Sequence, residues 1–175
     1  CTLSGGIVNL AKKNKNLNVM LVHRKQLHFS INFQTHDNKA LANVKVRQAL
    51  AHAINRHAII KIAMKGVQKF ADQSFPPGSK WHCDNVAYPA FDPAKAKALL
   101  AGIDVAPIDL WTYNIPTFKK IAVMIQDMWK KVGVTANVKV GGRGPSGVVG
   151  KIVKGNTPAY MITRGSYVHP TVFDM

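Results

Sequence analysis

The sequence predicts an α/β fold, built as a mixed, mostly parallel sheet with flanking helices. Three observations carry that reading. From Asp92 onward, apolar residues recur by turns at helical and at strand spacing, in the order α-β-α-β-α-β. Strands that alternate with helices need crossover connections, and these are right-handed as a strong rule. Ahead of them, Leu27, Phe29, Ile31 and Phe33 alternate with His28, Ser30 and Asn32, the period of a strand with one buried face. With 47% apolar and 18% charged residues, a chain of 175 residues can bury one sizeable core and fits a single α/β domain over 1–175.

Taken in order, Leu17–Val22 is expected as a strand, and His23–Gln26 as a polar loop before the strand Leu27–Phe33. Residues 43–66 read as two short helices meeting at a tight corner. Val46, Leu50, Ala53 and Ile54 share one buried stripe, Asn43 can cap the first helix, and Asn55-Arg56 offers the turn. Residues 70–91 hold Pro76, Pro77, Gly78 and Pro89 and read as an ordered loop. Asp92-Pro93 then opens a helix with a capping carboxylate and a proline where no N–H is needed, and Gly102 suits its stop. Ile108–Thr112 is a strand. Thr117 can cap a helix with Ile121, Met124, Ile125, Met128, Trp129 and Val132 on one face, read as core, and Gly133 as stop. Val134–Val140 alternates as a strand, Ser146–Lys154 is a short helix, and Ala159–Thr163 is the last strand.

Charge is the unusual property. Lys and Arg total 24 against 8 Asp and Glu, a formal charge of +16. Such a surface suggests nucleic acid, anionic lipid or an acidic partner. The cations are scattered, however, and the one dense run, Lys12-Lys13-Asn14-Lys15, reads as a solvated loop between a helix and a strand. Cys1 and Cys83 permit one disulfide without specifying it. No apolar run is long enough to cross a membrane as a helix.

Chemistry-bearing patterns are sparse. Gly141-Gly-Arg-Gly-Pro-Ser-Gly lies between a strand and a helix, as phosphate loops do, but it lacks the Lys-Ser/Thr ending and the dinucleotide spacing. It reads as a strand–helix connection. His82-Cys83-Asp84 lacks the further ligands that zinc requires, so neither a metal nor another cofactor is expected. His52 and His57, five apart, do not share a helical face. Asp72, Asp84, Asp92, Asp104, Asp109 and Asp127 each fit a loop, cap or helix surface, and no nucleophile has a partner base, so no catalytic residue is assigned. In open α/β sheets ligands bind beyond the carboxyl ends of strands. Trp111, Tyr113 and Asn114 lie at one such end, and Thr163, Arg164, Gly165, Ser166 and Tyr167 at another.

Five phrases, in order, extend the reading: Asn43-Val-Lys-Val-Arg-Gln-Ala-Leu-Ala-His-Ala-Ile-Asn-Arg, Phe75-Pro-Pro-Gly, Tyr88-Pro-Ala-Phe-Asp-Pro-Ala-Lys-Ala-Lys-Ala-Leu-Leu, Ile108-Asp-Leu-Trp, and Met124-Ile-Gln-Asp-Met-Trp-Lys-Lys-Val-Gly-Val. Over residues 1–165 the chain resembles the periplasmic peptide-binding proteins of ABC importers, the dipeptide, oligopeptide and nickel binders. The resemblance implies one lobe of a two-lobed binding protein, with this chain the central part of the second lobe and the first lobe and chain ends missing. It further implies a periplasmic or lipid-anchored, monomeric protein that binds a peptide or peptide-like small solute and serves a membrane permease. In some members a cysteine near the Cys1 position pairs with one in the other lobe.

The resemblance fails at two charges. Where the family's dipeptide binders carry an aspartate for the peptide ammonium, register gives Ser166, and Thr163 stands at a tryptophan position. The family's arginine for the peptide carboxylate follows the Asp-Leu-Trp phrase, but here Thr112–Thr117 holds no Arg or Lys. The expected ligand-binding set is therefore Tyr113, Asn114, Thr163, Arg164, Gly165, Ser166 and Tyr167, with a preference for anionic, neutral or end-blocked solutes and Arg164 on the acidic group. A basic nucleic-acid- or polyanion-binding domain is the alternative. If the chain is one part of a two-lobed protein, the source protein should weigh well over 19.2 kDa by intact mass spectrometry, and a mass of 19.2 kDa would refute that expectation.

Overall fold

The computed structural model describes residues 5–20, 27–35, 38–68, 80, 82–85 and 88–165. Its elements are α1 (Gly5–Lys13), β1 (Leu27–Phe33), α2 (Lys39–Ala42), α3 (Val44–His52), α4 (Arg56–Ile62), α5 (Pro93–Leu100), β2 (Ile108–Tyr113), α6 (Pro116–Lys130), β3 (Ala136–Gly141), α7 (Val148–Val153) and β4 (Ala159–Gly165). Four strands form one sheet in the order β1-β4-β2-β3. β2 pairs in parallel with both β3 and β4, and β1 closes the sheet antiparallel to β4. This is the mixed, mostly parallel α/β sheet that the sequence predicts.

The two faces of the sheet differ sharply. Ile108, Leu110 and Thr112 alternate onto the face that α6 covers, and the register sets Ala136, Ala159 and Met161 beside them. All six are buried. On the opposite face Asp109, Asn137 and Lys139 stay polar, and α7 packs over Trp111 and Gly141. β3 is an edge strand, and the exposed Lys139 on it is a charge that discourages further strand pairing.

The end of α3 joins the helical layer to the sheet. A helix leaves its last four carbonyls without internal donors. Here all four are met: Ala49 by Ala53 N–H at 2.9 Å, Ala51 by Ile54 N–H at 3.3 Å, His52 by Asp92 N–H at 2.9 Å, and Leu50 by the Trp129 indole N–H at 3.1 Å. The last two donors come from α6 and from the segment leading into α5. Trp129 has no exposed surface and also meets the Phe33 ring at 6.3 Å between centroids. α3 packs along α5, with Val46, Ala49, Leu50 and Ala96 fully buried. Next to Phe33, Gln34 donates to the Ile152 carbonyl at 2.8 Å and accepts from the buried Thr157 hydroxyl at 2.6 Å, which ties the end of β1 to the α7–β4 turn.

Most local expectations hold. Asn43 and Asp92 cap α3 and α5 by accepting from Lys45 and Lys95 N–H at 2.9 Å each, and Asn55, expected as the turn, also caps α4 by accepting from Ala58 N–H at 2.9 Å. Gly102 and Gly133 end their helices at φ +74° and +93°, where a side chain would be strained. Four details differ. Residues 17–20 are not a strand, and the rest of Leu17–Val22 lies outside the described residues. Leu17 donates to the Asn14 carbonyl and the Asn14 side chain accepts from Asn16, so the chain turns, while Leu17 and Met20 remain 55% and 82% exposed among the described residues. Thr117 does not cap α6. The residue before a proline is held extended, so Ile115 (φ −126°, ψ 131°) becomes the cap and Pro116 the first helical residue. α7 begins at Val148, after Ser146. The single-turn α2, capped by Asn38, is unforeseen because four residues carry no period.

Trp129→Phe should cost about 1–3 kcal/mol, because a buried carbonyl loses its donor. Trp129→Ala should cost about 3–5 kcal/mol. Urea denaturation checks both, and a loss within about 0.5 kcal/mol for the alanine variant, the range of an ordinary surface change, would contradict this packing.

Candidate functional site

Three parallel strands, β2, β3 and β4, end at one edge of the sheet. Tyr113 closes β2 and pairs with Gly141, the last residue of β3. Leu110–Thr112 pair with Ala159–Met161, and β4 continues to Gly165, past the end of β2. The edge therefore gathers Tyr113, Asn114, the backbone of Thr163–Gly165 and the glycine-rich loop after Gly141. Ser166 and Tyr167 lie outside the described residues. Asn114 is exposed, and its N–H donates to the Gly141 carbonyl at 2.9 Å, which leaves the amide side chain at the surface.

The two aromatic residues at the end of β2 differ in burial. Tyr113 is buried, packed on Phe118 at 5.5 Å between centroids, whereas Trp111 is half-buried. Both alternate onto the same face of β2. A cation covers each: the Arg143 guanidinium lies 5.1 Å from the Tyr113 ring centre, and Lys151 Nζ lies 4.7 Å from that of Trp111. Arg143 escaped the sequence reading, which found no cation in the loop after β2 and assigned the acidic group to Arg164. The glycine run on which Arg143 sits was tested for phosphate and read as a strand–helix connection, so its arginine was not weighed.

The loop geometry explains those glycines without phosphate. Val148 N–H, at the start of α7, donates to the Gly142 carbonyl at 2.8 Å, and Gly147 N–H to the Gly144 carbonyl at 2.8 Å. A side chain at position 147 would collide with the Gly142 carbonyl oxygen, and one at 150 with that of Pro145. Around Gly144 nothing lies within 4 Å of an added carbon. Glycine at 147 and 150 thus lets the loop fold back on α7, and Arg143 rides on it.

Elsewhere the motifs resolve as structure. His52 is buried with Nδ1 2.7 Å from the Ala90 carbonyl. Arg56 donates to the Pro89 carbonyl at 3.3 Å and covers the Tyr88 ring at 4.1 Å. Burial pushes the Tyr88 phenol above its ordinary value, partly offset by that guanidinium. His82 and Asp84 lie 3.4 Å apart, and Cys83 is exposed. Among the described residues no three potential ligands cluster for a metal ion. Cys1 lies outside them. A shallow apolar groove of about 370 Å³ runs beside the second half of α6, lined by Ile62, Phe91, Met124 and Met128 and rimmed by Asp127 and Lys131. Met124 and Met128, expected in the core, are only half-buried there.

Comparison with known proteins now defines the class. The description "Bacterial extracellular solute-binding proteins, family 5 Middle" matches residues 2–173, and the chain belongs to that family. It is 40% identical over 137 residues to the dipeptide-binding protein of Escherichia coli (strain K12), covering 73% of this chain and 25% of that protein. It is 33% identical over 140 residues to heme-binding protein A of Haemophilus influenzae, covering 75% and 25%. The fold superposes with TM-score 0.79 and 25% identity on the ABC transporter-associated periplasmic binding protein DppA from Helicobacter pylori in complex with peptide STSA, covering 90% of this chain and 30% of that one. The chain thus spans about a quarter of the length of these curated relatives.

Gly150→Ala should destabilise the protein by about 1–3 kcal/mol, as overpacking against a backbone atom does, while Gly144→Ala should change it by less than about 0.5 kcal/mol. Thermal denaturation of the two variants separates them. Equal effects would refute the fold-back of the loop.

Proposed function

We propose that this chain is the central part of the second lobe of a two-lobed solute-binding protein held outside the cytoplasmic membrane. The lobes close by hinge motion over a peptide or related small solute and present it to the membrane permease of an ABC importer. The observation that carries this reading is the coincidence, at one carboxyl edge of a family-5 sheet, of Tyr113, Asn114 and the end of β4. In this reading Thr163–Gly165 and the adjoining Ser166 and Tyr167 complete the solute site. The names of its relatives include dipeptide and heme binders.

The protein acts by binding, with no covalent step, as a monomer and without nucleic acid. Three of the acids have structural duties: Asp92 caps α5, Asp109 accepts from Asn137 at 3.1 Å with Lys139 at 3.9 Å, and Asp127 pairs with Lys131 at 2.6 Å. No helix of the described residues is long and apolar enough to cross a membrane, consistent with a protein outside the bilayer.

Titration calorimetry of the full-length protein against a dipeptide and tripeptide panel should find at least one ligand whose affinity falls about tenfold or more in Tyr113→Ala. Peptide, ester and phosphate hydrolysis should stay at background. A real turnover abolished by a single substitution, or binding to DNA with a steep salt dependence and no peptide binding, would overturn the reading.

A further inference from the structure

Two cations stand at the strand edge without a counter-charge. Among the described residues, no carboxylate lies within ion-pair distance of Arg143 or Lys151; the nearby Asp109 is engaged by Asn137 and Lys139 on β3. Each cation instead rests on an aromatic face, Arg143 over Tyr113 and Lys151 over Trp111. A cation over a ring keeps its polar hydrogens for other partners, because the ring face offers quadrupole attraction and no lone pair in the hydrogen-bond plane. The planar guanidinium presents parallel N–H groups that match a carboxylate. The loop that carries Arg143 is folded back by two backbone hydrogen bonds of 2.8 Å, so the cation is placed before any ligand arrives. Both cations reach the face of β2 that carries Trp111 and Tyr113, at the end where that strand stops.

We infer that Arg143 and Lys151 form the anion anchor of the solute site, selecting peptide-like solutes that carry a carboxylate at the end held against Tyr113. This rests on the proposed location of the site at the strand edge. It places the anchoring arginine on the loop after β3, and it accounts for a chain with no cation between Thr112 and Thr117. Nothing described at the edge supplies a carboxylate for an ammonium, so the anchor favours net negative solutes over zwitterionic ones.

Three probes vary the end charge: N-acetyl-alanyl-alanine, its neutral C-terminal amide, and alanyl-alanine amide, a cation that also lacks the acetyl cap. Calorimetry on the full-length protein should rank the anion tightest, about tenfold or more above the neutral amide. Arg143→Gln combined with Lys151→Gln should erase that difference while leaving the neutral amide within about threefold. Arg143→Lys alone should retain part of the preference. Equal affinity for anion and neutral amide in the wild type, or a difference that survives the double substitution, overturns the anchor. If Tyr113→Ala weakens all three probes while the wild type shows no charge dependence, or the double variant keeps it, the anchor falls and the site location stands. If none of the three binds, or Tyr113→Ala changes nothing, both fall. Matching thermal denaturation of the variants and the wild type excludes misfolding as the cause.

Discussion

The open carbonyls at the end of α3 are the constraint on which the rest of the molecule depends. A nine-residue helix cannot satisfy them itself. Two of its four terminal carbonyls are met by donors distant in sequence, the Trp129 indole and the Asp92 amide. One belongs to the helix that covers the sheet, the other to the residue that caps α5. The same few atoms therefore fix where the helical layer sits against the sheet. With that distance set, Leu50, Trp129, Leu110 and Met161 fill a dry interior between the layers. An unpaired carbonyl in such surroundings costs about 1–3 kcal/mol, a large share of a domain's net stability.

The fold was legible because its signals are local. Asn43, Asn55 and Asp92 cap helices by contacts within three residues, and strand alternation needs only its own neighbours. The family wording at 43–56 and 88–100 turns out to describe one corner: His52 and Arg56 hold the Pro89–Ala90 backbone, and α3 lies along α5. These phrases mark the family because they build its scaffold, away from the strand edge. What failed in the reading was settled by neighbours that no window of sequence contains. Leu17 and Met20 had the composition of a strand but stay exposed among the described residues. Pro116 overruled Thr117 through the backbone of Ile115.

The candidate site was half legible for the same reason. Strand ends can be counted along the chain, so Tyr113, Asn114 and Thr163–Gly165 meet as expected at one edge. The partners of the aromatic rings cannot be counted. Arg143 and Lys151 come from the connection between β3 and β4, 30 and 38 residues beyond the end of β2, and the parallel pairing of β2 with β3 brings that connection back. Glycine content hinted at an anion, yet the glycines serve close approach of the loop to α7, and the charge comes from the one arginine among them.

The central claim is that the carboxyl edge of the sheet, and not the apolar groove beside α6 or the scaffold corner, receives the solute. The chain holds three tryptophans, at 81, 111 and 129, whose indole N–H groups report separately in a nitrogen–proton correlation spectrum. Titrating the full-length protein with a peptide that it binds should move the Trp111 indole resonance. That of Trp129, locked on the Leu50 carbonyl, should stay in place. A titration that shifts Trp129 and leaves Trp111 unmoved would contradict the account.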